Sequence, residues 1–157
     1  LGMPHANTAH AGAMLLPIEA HIRFLREARP GAPLSMHGGV VTLDETSATL
    51  CLDMRHGDGA PSSCFTFKVE HVDTRELRPF PWTTRARAAA AALKCEAPEH
   101  SKPRSFNLSK PSSDISRAKA IEVGAQRIGG AMVTPDQCDA FGRLRLEHFV
   151  GRISDSV

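Results

Sequence analysis

The chain has 157 residues, with Lys+Arg 19 against Asp+Glu 17 and a formal net charge of +2. That length holds one ordinary domain with a real core, or parts of two. The basic residues are scattered with no aromatic-interleaved stripe, which argues against nucleic acid as a partner. No apolar run approaches the length that spans a bilayer, so no membrane partner is expected. Four cysteines (Cys51, Cys64, Cys95, Cys138) show no C-x-x-C spacing and no pairing with histidine in a zinc pattern, so neither a metal nor a cofactor is expected. They read as reduced thiols of an intracellular, cytoplasmic protein, and no signal peptide precedes the first strand.

Leu1 to Gly12 is a polar lead-in without a clear period. From Leu16 to Leu25, Ile18, Ala20, Ile22 and Phe24 alternate with Glu19, His21 and Arg23, the pattern of a half-buried strand. Arg29-Pro30-Gly31-Ala32-Pro33 breaks the chain. Leu34 to Leu43 is a second strand, in which Gly38-Gly39 points to a bulge or a close backbone approach. Ala48, Leu50, Leu52 and Met54 alternate with Thr49, Cys51 and Asp53 in the third, over residues 47–55. His56-Gly57-Asp58-Gly59 is a hairpin loop. The fourth strand, Ser62 to Val72, sets Phe65, Phe67 and Val69 against Thr66, Lys68 and Glu70. The first half is therefore an antiparallel meander with one apolar face that needs a cover. His21, His37 and His71 lie on strands as surface or packing residues.

Arg78-Pro79-Phe80-Pro81-Trp82 ends the sheet. Thr84 to Lys94 is helix-prone but alanine-rich, able to pack closely while burying little. Glu96 to Ser113, rich in Pro, Ser and Lys, reads as an exposed linker. Ser112 or Ser113 is placed to cap a short helix through Ile115 and Ala118, and Ala125 to Val133 becomes extended. A polar turn with Asp136, Asp139 and Gly142 follows. Leu146, Phe149, Val150, Ile153 and Val157 then make one apolar helical stripe. This order puts Asp139 beside a helix N-terminus, whose free amides can meet developing negative charge. A base next to such a site is sufficient to cleave an acyl bond. Asp139 is equally suited to capping the turn.

The segment C-D-A-F-G-R-L-R-L-E-H-F-V (138–150) resembles the D-x-x-G-H stretch that opens hotdog-fold acyl-CoA thioesterases of the 4-hydroxybenzoyl-CoA thioesterase type. P-I-E-A-H-I-R-F-L-R-E-A-R-P-G-A-P-L and F-K-V-E-H-V-D-T-R-E-L-R-P-F-P are similar to later strands of the same family. The resemblance implies an α+β hotdog, an antiparallel sheet wrapped around a central helix, but with its pieces permuted. Residues 1–82 would supply four strands, 83–113 the Ala-rich helix and linker, and 114–157 the first strand and central helix. A segment of a tandem double hotdog and a permuted single domain both fit this order; the tandem reading places both chain ends inside a longer protein. Burial favours the helix lying across the apolar face of the sheet.

The resemblance further implies an acyl-CoA substrate, a homo-oligomer, and Asp139 as nucleophile or as general base on water. Gly142 and Leu146 would mark the oxyanion-binding helix N-terminus, and Arg143, Arg75 and Arg78 would meet the coenzyme A phosphates. The pattern departs where the family's histidine is Arg143 and its asparagine is Arg145. The D-x-x-x-x-H spacing of a hydratase is absent, since Leu144 stands at that distance from Asp139. The competing reading is a non-catalytic hotdog module for dimerisation or acyl-group binding.

Overall fold

The four alternating runs become four strands in the computed structural model, which describes residues 12–103 and 116–154. They are β1 (Ala13–Phe24), β2 (Leu34–Leu43), β3 (Ser47–His56) and β4 (Pro61–Asp73). They form one antiparallel sheet in the order β1-β4-β3-β2. The helices are α1 (Thr84–Ala92), α2 (Arg117–Glu122) and α3 (Leu146–Ser154), with 3-10 turns at Glu99–Ser101 and Pro135–Gln137. The chain divides into two units, Leu1–Lys102 and Pro103–Val157.

In the first unit, register sets the faces. Leu50 pairs with Phe67, Leu52 with Phe65 and Ala48 with Val69, so their side chains share one face. Helix α1 covers one end of it. Val40, Ala48, Val69, Trp82, Ala86 and Ala90 are buried together, with Leu15, Leu43, Leu50 and Phe67 packed against them. Thr83 caps α1 by accepting from the Ala86 amide at 3.1 Å. The alanines let the helix lie close to the sheet, and the chain leaving it pairs with the β2 edge. Val40 N–H donates to Leu93 O at 2.8 Å and Cys95 N–H to Val40 O at 3.0 Å. Gly39 serves this approach: a Cβ there would stand 2.6 Å from both Leu93 O and Cys95 Sγ. At the other end of the face Leu52, Met54 and Phe65 are half-buried, whereas Phe24 is 79% exposed and Met36 56%.

His71, fully inside, is clasped by the exit segment. Its ring stacks 4.8 Å from Trp82 and lies 4.0 Å from Phe80, and its Nδ1 is 3.0 Å from Phe80 O.

Four sequence expectations change. Ile18 does not share the inner face of β1: the register jumps from Pro17–Val69 to Glu19–Lys68, so Ile18 is the extra residue of a bulge and is exposed. The segment expected as linker begins with order, since Glu99–Ser101 forms a turn in which Ser101 is buried; residues 104–113 lie outside the described residues. The cap of α2 is Ser116, whose hydroxyl accepts from the Lys119 amide, and Ser112 and Ser113 lie outside the described residues. Ala125 to Val133 carries no strand pairing among the described residues, and Gly129-Gly130 interrupts it.

Candidate active site

In the second unit, Asp139 opens a tight loop closed by a bridge between Cys138 and Leu144. Its Oδ1 accepts from the amides of Phe141 (2.8 Å) and Arg143 (3.0 Å), while its own N–H donates to Arg143 O at 2.8 Å. Gly142, at φ +74°, supplies the left-handed turn that brings these amides round. Oδ2 lies 3.5 Å from Arg143 Nε, and the Arg143 guanidinium sits 4.7 Å above the Phe141 ring. Burial pushes the Asp139 carboxyl up, but the two amides and the Arg143 charge together outweigh it and hold the group below the ordinary carboxylate value. Leu146 is the first residue of α3, one step beyond Arg145, whose carbonyl receives the His148 amide. Asp139, Gly142 and Arg143 thus share one loop, and Leu146 begins the helix that follows. Arg152 donates to Met132 O and Gln137 Oε1, both at 3.0 Å, tying α3 to the segment before the loop.

Arg75 and Arg78 belong to the first unit. They flank the turn after β4, where Asp73 accepts from the amides of Arg75, Glu76 and Arg78. The Arg78 side chain pairs with Glu76 at 2.9 Å. Both arginines are exposed.

A further constellation in the first unit was invisible to spacing. On the sheet face away from α1, His100 Nε2 lies 2.7 Å from Asp53 Oδ1. Arg55 donates to Asp53 Oδ2 from Nε at 2.8 Å and pairs from Nη2 at 2.7 Å. Cys64 stands directly across from Asp53 in the β3–β4 register, and Cys51 Sγ is 3.6 Å from Cys64 Sγ. The usable signal was weak: polar Asp53 and Cys51 in the alternate phase of the cleanest strand.

Residues 1–94, spanning the whole sheet and α1, match the Thioesterase-like superfamily. The chain belongs to that family. Its sheet is also similar to solved structures at low identity. A Staphylococcus aureus protein in complex with CoA shares 17% identity at a TM-score of 0.52, over 63% of this chain and 64% of that one. A Pseudomonas aeruginosa protein shares 20% at 0.50, over 56% and 62%. A predicted thioesterase from Bacillus stearothermophilus shares 13% at 0.50, over 54% and 62%. The chain thus spans under two thirds of the length of each of these three. No curated protein matches it. Such likeness establishes the fold, the antiparallel sheet of a hotdog thioesterase. The Asp139 loop lies outside residues 1–94.

Proposed function

We propose that this protein hydrolyses acyl-CoA thioesters. The observation that carries the reading is the match of residues 1–94, sheet and covering helix together, to the Thioesterase-like superfamily. The coenzyme A in the complex of a protein with a similar fold supports the substrate class. Asp139 is the proposed catalytic group. With its carboxyl held low it is ionised at neutral pH, and Oδ2, free of the backbone amides that occupy Oδ1, is the oxygen suited to receive a proton from water or to attack the thioester carbonyl. Backbone amides at the start of α3, around Leu146, would face the oxyanion, a type of contact that contributes roughly 3–4 kcal/mol to the barrier. Arg143, Arg75 and Arg78 are proposed to meet the phosphates, and the active form to be a cytoplasmic homo-oligomer. The test is a hydrolysis screen over short, long and aromatic acyl-CoAs with Asp139→Asn alongside. A loss of about a hundredfold or more is expected, because the amide keeps the shape but not the base.

One observation favours the second reading, a non-catalytic module for dimerisation or acyl-group binding. Asp139 is engaged by its own loop, with Arg143 in place of a neutral base. Acyl-CoA binding without turnover, unchanged in Asp139→Asn, would select that reading.

A further inference from the structure

Three donor atoms of three chemical kinds converge on the sheet face away from α1. The Asp53 carboxylate, the Cys64 thiol and the His100 imidazole each present a ligand atom, and all lie within 4.8 Å of one another. They arrive from separate places: Asp53 from β3, Cys64 from its cross-strand neighbour on β4, His100 from the 3-10 turn after α1. We propose that Asp53, Cys64 and His100 bind a divalent cation of the zinc class.

The cluster is built rather than incidental. Asp53 and Cys64 are both buried, 6% and 1% exposed. Arg55 engages Asp53 Oδ2 from two nitrogens, which leaves Oδ1 directed at His100. Arg23 fixes the turn that carries the histidine, donating to His100 O at 2.6 Å and to Lys102 O at 2.7 Å. A salt bridge between Asp53 and His100 alone would account for their contact, but the Cys64 thiol, besides its contact with Cys51, converges on the same pair. A cation uses all three. Sulfur at about 2.3 Å and nitrogen or oxygen at about 2.0–2.2 Å from a tetrahedral ion set the ligand atoms roughly 3.2–3.8 Å apart, so the three need only small rotamer adjustments to enclose one. The mixture of thiolate, imidazole and carboxylate suits zinc or cobalt and disfavours magnesium or calcium, which take oxygen. Cys64 gives up its thiol proton on binding. The fourth position is open to water or to Cys51, whose Sγ is 3.6 Å from that of Cys64. Sequence spacing misses such a site because one ligand comes from each of three elements brought together by strand register and one turn.

The site would fasten residues 99–101 to the sheet. The test uses the full chain, stripped with a chelator and titrated with Co²⁺. Expected is one equivalent bound, with the visible bands of a tetrahedral site and a thiolate-to-cobalt charge-transfer band, both displaced by Zn²⁺. Cys64→Ser should abolish the charge-transfer band. His100→Gln, at a half-exposed position that folding tolerates more readily, should weaken Zn²⁺ binding at least tenfold with an unchanged circular dichroism spectrum. Cys138→Ser, outside the cluster, should bind as the parent does. Absence of binding by the parent at micromolar metal, or parental binding by both Cys64→Ser and His100→Gln, would overturn the proposal.

Discussion

Asp73 and Asp139 do the same job in different turns. Each carboxylate gathers amides that would otherwise lack partners: Asp73 takes those of Glu76 (2.7 Å), Arg78 (2.8 Å) and Arg75 (2.9 Å), and Asp139 those of Phe141 and Arg143. The Asp73 carboxyl is held low chiefly by the Glu76 amide, and Asp139 by its two amides against the opposing effect of burial. A folded-state value below the ordinary 3.8 means the turn gains from the charged form. That gain is complete above the ordinary value and disappears as pH falls through the lower folded value. The Phe141 and Arg143 amides should therefore keep their hydrogen-exchange protection until the pH is below 3.8, and Asp139→Asn should flatten that acid dependence. Hydrolysis should likewise show no acid limb from Asp139 between about pH 5 and 8; a limb near pH 6 that vanishes in Asp139→Asn would contradict the assigned ionisation. The sequence located the acidic turn because Asp and Gly have local meanings. It gave no sign that the loop's own amides would occupy Oδ1, which depends on the backbone at Gly142. Nor could it show Asp53, Cys64 and His100 as neighbours, because tertiary pairing alone brings them together.

Among the elements, what could be read depended on how local the cause was. The period of two lies within each strand, so β2, β3 and β4 came out within a residue of their observed ends. The β1 bulge did not, because Ile18 is displaced by pairing with β4 rather than by its neighbours. The turn at Glu99–Ser101 was hidden by a composition typical of linkers; Arg23 and Asp53, far off in sequence, hold it. Two glycines give a sharp comparison. At Gly39 a Cβ would press on Leu93 O and Cys95 Sγ, whereas at Gly151, inside α3, it would meet nothing within 4 Å. Gly39→Ala should lose about 1–3 kcal/mol in urea unfolding through forced separation of α1's exit from β2. Gly151→Ala should steady α3 by roughly 0.5–1 kcal/mol, read as increased helical circular dichroism on mild heating. Equal effects at the two positions would mean the close approach at Gly39 is not a constraint.

At the scale of the whole molecule, each unit retains apolar groups without cover: Phe24 and Met36 in the first, Phe149 and Ile153 in the second. Burying such a side chain fully is worth roughly 1.5–3 kcal/mol, so four of them approach the net stability of a domain.

The strand order has a consequence for a growing chain. β1 leaves the ribosome first, yet its neighbour is β4, the last of the four to emerge, with Ala13 opposite Asp73. At about 5–20 residues per second, β1 waits about 2–10 s with Met14, Leu15 and Ile22 uncovered while β2, β3 and β4 zip through short turns behind it. Nascent chains halted before β4 should consequently engage hydrophobic-binding chaperones through residues 13–24. In refolding from denaturant, the β1 amides should be the last of the sheet to gain protection from exchange.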